Sequence, residues 1–140
     1  MEDEHHLRIG SEHDILTARQ RGRELASAVG FSGSDLTIVA TAISEIARNI
    51  LEYAREGEIV FTLVRNGPSQ GIVVVARDEG PGIPDVALAM QDGYSTRRSL
   101  GLGLPGARRL MDEFDIQSEV GRGTTVTMKK WMQSRSARVS

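Results

Sequence analysis

Apolar residues follow two rhythms along this chain, one helical and one alternating, and the shift between them marks out the elements. From His13, the residues Ile15, Ala18, Gly22, Leu25, Ala26 and Val29 recur at helical spacing, which predicts a helix that Gly30 stops. A second and stronger stripe runs through Leu36, Val39, Ala40, Ile43, Ile46, Ala47, Ile50 and Ala54. Ser34 or Asp35 is its expected cap, and Gly57 its expected end. Then the rhythm changes. Glu58–Val64 and Gly71–Arg77 read as strands joined by the turn-rich Asn66-Gly-Pro-Ser. The run Ile72-Val-Val-Val-Ala does not alternate, so that strand is expected to be central or buried on both faces.

Leu7–Ile9 is short enough for an edge strand. Beyond Asp78 come a short helical segment at Val86–Met90, a polar loop from Gln91 to Ser99, and a third helix expected over Leu104–Phe114. Two closing strands, Ile116–Val120 and Thr124–Trp131, flank the turn Gly121-Arg-Gly. This order predicts one sheet with helices on one face, a two-layer α/β sandwich. No repeat or internal boundary interrupts it, so residues 1–132 are expected to form a single domain. Residues 133–140 lack periodicity and read as a disordered basic tail.

Composition narrows the function classes. The chain of 140 residues has no cysteine, which removes disulfides, thiolate zinc sites and thiol nucleophiles and is compatible with a cytoplasmic protein. The start Met1-Glu-Asp-Glu-His-His is too polar for a signal peptide, and no apolar run suggests a membrane span. A formal charge of −2 argues against nucleic acid as a partner. That balance hides an asymmetry: Lys129, Lys130, Arg135 and Arg138 give the last twelve residues +4, leaving −6 elsewhere. His5, His6 and His13 lie in or beside the acidic N-terminus without ligand spacing.

Four short stretches carry candidate chemistry. On the second helix Glu45 and Asn49 lie four apart, one turn along one face. A carboxylate there can take a proton from a nucleophile, and an amide oxygen can ligate a hard cation such as Mg2+. Taken alone, Glu45, Arg48, Asn49 and Glu52 read more simply as a solvated face. Asp78-Glu-Gly-Pro-Gly-Ile follows the most buried strand. The sheet would fix Asp78, which could accept a bond from an exocyclic amine, while Gly80 and Gly82 would let backbone approach a flat ring. A plain Gly/Pro turn explains it equally well. Gly101-Leu-Gly-Leu-Pro-Gly106 opens the third helix, where exposed amides and the helix dipole favour an anion. It has neither a Walker A ending nor a preceding buried strand, so by itself it is a weak signal. Last, Gly121-Arg-Gly-Thr-Thr offers the Thr124 hydroxyl to a water or a base edge, or is simply a hairpin turn.

Taken together and in this order, the four stretches resemble the N box, the two glycine boxes and the terminal Gly-x-Gly-Thr of the GHKL ATPase/kinase superfamily, the Bergerat ATP-binding fold. Ile43-Ser-Glu-Ile-Ala-Arg-Asn-Ile, Asp78-Glu-Gly-Pro-Gly-Ile-Pro-Asp, Gly93-Tyr-Ser-Thr and Gly101-Leu-Gly-Leu-Pro-Gly look like the RsbT-type switch kinases of the bacterial stressosome. Asp14-Ile-Leu-Thr-Ala-Arg-Gln extends that resemblance towards the N-terminus. It implies a mixed, mostly antiparallel sheet with helices on one face.

By this resemblance Asp78 holds the adenine amine, Gly80 and Gly82 shape the pocket, and Thr124 completes it through water. Asn49 ligates Mg2+, and Glu45 is the general base. Gly101, Leu102, Gly103 and Leu104 border the phosphates, under a lid at Gln91–Leu100. That lid has no lysine, which leaves Arg97 or Arg98, and preferably Arg98, to meet the γ-phosphate. The resemblance further implies ATP and Mg2+ as cofactors, and a serine on a STAS-domain protein of the RsbS or RsbR kind as the substrate. A PPM-type phosphatase of the RsbU kind is the implied second partner. Two other readings compete: an anti-sigma factor kinase of the RsbW kind, and a nucleotide-binding module without transfer activity. Leu104-Pro-Gly weighs against the first, and Glu45 beside Asn49 against the second.

Overall fold

The two rhythms become two layers. The computed structural model of the chain describes residues 4–83, 86, 90 and 103–132. Five strands, β1 (Glu4–Ile9), β2 (Gly57–Asn66), β3 (Ser69–Asp78), β4 (Glu113–Glu119) and β5 (Gly123–Trp131), form one sheet in the order β1-β2-β3-β5-β4. Every described pairing is antiparallel, so the mixed element anticipated for the sheet is not seen among these strands. Helices α1 (Glu12–Val29) and α2 (Ser34–Tyr53) cover one face, and α3 (Gly103–Leu110) packs on α2. Among the described residues no helix is long and apolar enough to cross a membrane.

Strand β3 takes the central place that its unbroken apolar run predicts. Ile72, Val74 and Ala76 are buried beneath the helices with Ile59 and Phe61 of β2 and Val126 and Met128 of β5. Ile43, Ile46 and Ile50 of α2 close that core from above. Each large aliphatic side chain so buried contributes roughly 1.5–3 kcal/mol. Val73 and Val75 point to the other face and are only half-buried, so β3 is central without being covered on both sides.

Several boundaries move. The cap of α1 is Ser11, whose hydroxyl accepts from the Asp14 amide at 3.4 Å, and Gly30 ends the helix as expected. Helix α2 is preceded by Gly33 with no side-chain cap, so neither Ser34 nor Asp35 serves that role. It ends at Tyr53, with Arg55 at a φ of +72°, and Gly57 opens β2 instead of closing the helix. Helix α3 stops at Leu110, short of Phe114, because the Asp112 amide bonds the Lys129 carbonyl at 2.9 Å and Phe114 pairs with Met128 across the ladder. Tertiary pairing has overridden a helical pattern there. Most of the segment expected at Val86–Met90 lies outside the described residues, although the Met90 amide does bond the Val86 carbonyl at 3.0 Å. The lid and the basic tail also lie outside them.

Candidate active site

At the end of the central strand the ladder brings three polar residues into line. Asp78 pairs with Thr124 on β5, and Thr124 pairs with Ser118 on β4. All three are in phase with the helix-facing core residues of their strands. Asp78 and Thr124 are buried, at 8% and 5% exposure. One carboxylate oxygen of Asp78 accepts the Gly80 amide at 2.9 Å, which fixes the group against its own loop.

That loop is clamped to the β4–β5 turn. Gly121 donates its amide to the Pro81 carbonyl at 2.9 Å. Gly82 takes a φ of +81°, and a Cβ there would strike the Glu119 carbonyl. Gly123 takes a φ of +107°, and a Cβ there would strike the Asp78 carbonyl. Only glycine lets these two turns close on each other. A cleft of about 400 Å³ at this end of the sheet is lined by Asp78, Ser118 and Thr124 together with Arg77, Gln117 and Thr125 of the opposite strand phase.

The second half of the site stands on α2. Glu45, Asn49 and Glu52 fall at i, i+4 and i+7, so they share one face of the helix. Glu45 is buried, and its Oε1 accepts the Gly103 amide at 3.0 Å, from the first residue of α3. Burial pushes the Glu45 carboxyl above the usual carboxylate range, against the Gly103 bond and the positive charge of Arg48, while Glu52 adds to the rise. Asn49 is half-buried. Glu52 Oε1 is shielded from solvent and has no hydrogen-bond partner.

Helix α3 begins with Gly103 at a φ of +54°. Leu104 is 5% exposed and packs in the core, so only its backbone is available to a ligand. Pro105 stands in the first turn, where its missing donor has no intrahelical role. The structure therefore gathers Asp78, Gly80, Gly82 and Thr124 at one end, and brings Glu45 to Gly103 beside Asn49 at the other. Arg98, Gly101 and Leu102 lie outside the described residues. The arrangement offers one sheet-fixed carboxylate that can accept from an amine and one buried carboxylate that can take up a proton.

The sequence reading places Glu52 on a solvated face and does not single out Ser118. Glu52 has the spacing of the Glu45 face, but spacing does not say whether a face is wet. Ser118 had a readable signal: in Glu-Phe-Asp-Ile-Gln-Ser-Glu, period two places it inward after Phe114 and Ile116.

Comparison with known proteins bears on these features. Residues 11–130 match the histidine kinase-like ATPase domain family. The chain is 47% identical over 133 residues to the serine/threonine-protein kinase RsbT of Bacillus subtilis (strain 168), covering 95% of this chain and 100% of that protein. It is 32% identical over 104 residues to the anti-sigma F factor of Thermoanaerobacter sp. (strain X514), covering 71% of this chain and 73% of that one. Among solved structures, one of the RsbU and RsbW domains of a Mycobacterium tuberculosis protein superposes with a TM-score of 0.64 at 22% identity. That match covers 94% of this chain and 34% of the other, about a third of its length, and shows the fold alone. Identity of this extent across a whole relative goes far beyond a shared architecture, and the chain belongs to the histidine kinase-like ATPase family as an ATP-using protein kinase of the RsbT type.

Proposed function

We propose that this chain, through a single domain spanning residues 1–132, transfers the γ-phosphate of ATP to a serine on a STAS-domain antagonist of the RsbS or RsbR kind. Once released from that antagonist, it binds and activates a PPM-type phosphatase of the RsbU kind, in the cytoplasm. The observation that carries the reading is the buried Glu45 carboxylate, held 3.0 Å from the amide that opens α3. A base so placed lies where phosphates and an attacking hydroxyl would meet.

Each residue then has a task. Asp78 accepts the adenine 6-amine with the oxygen that Gly80 does not use. Gly80 and Gly82 leave room for the ring, and Thr124 completes the edge through water. The backbone of Gly101 to Leu104 lines the phosphates, with Arg98 facing the γ-phosphate. Glu45 takes the serine proton as the serine oxygen bonds to the γ-phosphorus and the bond to the bridging oxygen of ADP breaks. Phosphoryl transfer asks mainly for such positioning and charge neutralisation.

The residues also fit Mg2+. This cation is usually held by one or two protein oxygens together with substrate phosphates, not by a protein cage. Asn49 supplies such an oxygen, and the unpaired Glu52 Oε1 one turn further on suits a water of the hydrated ion. When bound, Mg2+ neutralises phosphate charge. Product release follows from the same acids, since a phosphoserine adds nearly two negative charges beside Glu45 and Glu52.

A second reading is supported by the anti-sigma F relatives: a kinase that binds a sigma factor directly. A pull-down with sigma factor and STAS protein as alternative baits separates the two. The direct test is a single-turnover assay with labelled ATP and a STAS-domain protein from the same genome. Label should move to one serine of that protein; its absence would reject the transfer reading.

A further inference from the structure

One hydroxyl joins both walls of the sheet end of the site. Ser118 Oγ accepts the Ile83 amide at 2.7 Å, lies 3.2 Å from the Gly123 carbonyl as a donor, and is 2.8 Å from Thr124 Oγ1. Ile83 closes the Asp78–Ile83 loop, Gly123 opens β5, and Thr124 follows it. Ser118 is half-buried, at the inward phase of β4.

A serine hydroxyl has one proton and two lone pairs. The Ile83 bond uses one lone pair, so two arrangements remain. In one, Ser118 donates to the Gly123 carbonyl, Thr124 donates to Ser118, and Thr124 presents only lone pairs outward. In the other, Ser118 donates to Thr124, whose own proton is then free to be donated outward. The Gly123 carbonyl makes the two states exchangeable without leaving a buried proton unpaired, since it accepts the Ser118 proton whenever Thr124 does not. Asp78 has no such freedom, because an ionised carboxylate only accepts.

We propose that Ser118 is a positioning residue for nucleotide recognition: it sets the direction of the Thr124 hydroxyl proton and fastens the Asp78–Ile83 loop to β4. The inference rests on the reading that adenine lies against Asp78 and Thr124. In that role the Ser118–Thr124 pair adapts to a donor or an acceptor on the base or its water, while Asp78 demands a donor. Ser118 does not touch the nucleotide, so its effect passes through Thr124.

The test is a double-mutant cycle on the full chain, read by calorimetric titration with Mg-ATP. Ser118→Ala and Thr124→Val should each weaken ATP binding about three- to tenfold, the range of one neutral hydrogen bond. The double variant should be no weaker than about twofold beyond either single one. Ser118→Thr, which keeps the hydroxyl, should restore affinity, and turnover at saturating ATP should be unchanged in the Ser118 variants. Should Ser118→Ala fail to fold, Ser118→Cys fills the same space with a poor hydrogen-bonding group and is read in the same cycle. Additive losses in the double variant, or parental affinity in Ser118→Ala, would overturn the proposal. Asp78→Asn is run alongside. If it binds ATP like the parent, the adenine reading itself fails and this inference with it; if it is weakened and the cycle is additive, only the role of Ser118 is lost.

Discussion

Asp78 and Glu45 are two carboxylates with the same 8% exposure, yet they are held in opposite ways. Asp78 ends a central strand, pairs in register with Thr124, and bonds an amide two residues along its own loop. Glu45 sits mid-helix and accepts from Gly103, fifty-eight residues away on another helix. The first contact is local and survives any movement that leaves the sheet intact. The second exists only while α3 stays docked on α2. The sheet end of the candidate site is therefore built in advance, whereas the Glu45 end depends on the packing of two helices.

Removing the proposed base has the largest expected effect. Glu45→Ala should lower phosphoryl transfer by on the order of 10² to 10⁴, with ATP affinity nearly kept, because a general base acts on the chemical step. Single-turnover rates and ATP titration measured together decide it; weaker binding at unchanged turnover would make Glu45 structural. Asp78→Asn should do the reverse. Losing a charge-assisted bond costs roughly 1.5–3 kcal/mol, about one to two decades in ATP affinity, and turnover at saturation should stay near parental.

Gly82→Ala tests how far the sheet end is preformed. A side chain at a φ of +81° facing the Glu119 carbonyl should cost about 1–3 kcal/mol of stability, and weaken ATP binding as the loop shifts. Denaturant unfolding measures the first effect. A variant as stable as the parent would mean that the two turns are not clamped.

Glu45 also carries a pH dependence. The Glu45 carboxyl lies above its ordinary range, chiefly through burial, so the folded chain holds that proton more tightly than the unfolded chain does. Its contribution to stability is complete below the unfolded value near 4.5 and is lost as pH rises through the raised one. Glu45→Gln, which stays neutral and can still accept from Gly103, should melt higher than the parent at neutral pH and equally at pH ~4. Transfer activity of the parent should rise with pH through the same titration, since the proposed base works deprotonated.

The smallest effect belongs to His6 on β1, far along the chain from either carboxylate. Hydrogen bonds that His6 donates to Glu58 at 3.0 Å, and then to Glu4 at 3.2 Å, raise its pKa. Stability from this exposed group is present below about 6.5 and fades as pH rises through the raised value. His6→Gln should slightly lower the melting temperature at pH ~6, leave it unchanged at pH ~9, and not alter ATP binding at either.

Most helices and strands were legible from the chain alone, because period and turn chemistry are properties of neighbouring residues. The stripe from Leu36 to Ala54 and the apolar run of β3 required α2 and a central strand wherever the rest of the chain went. The four motifs in their order pointed to an ATP site on a two-layer sandwich through their resemblance to a known superfamily. Ends were less legible, since Gly57 and Phe114 obey partners far away: Gly57 is recruited into β2, and Phe114 into β4 by Met128.

Which polar groups are dry, and whom they meet, follows from packing. Glu45, Arg48, Asn49 and Glu52 have one spacing whether a face is wet or covered, and it is the packing of α3 that sets the Gly103 amide on Glu45. Ser118 shows an inward phase in the sequence, but three bonds at its hydroxyl require β4, β5 and the glycine loop to converge. The orphaned Glu52 oxygen is likewise invisible to spacing. Local sequence sets which way a side chain points; desolvation and hydrogen-bond partners come from segments far apart in the chain, and these exist together only once the sheet and helices have closed.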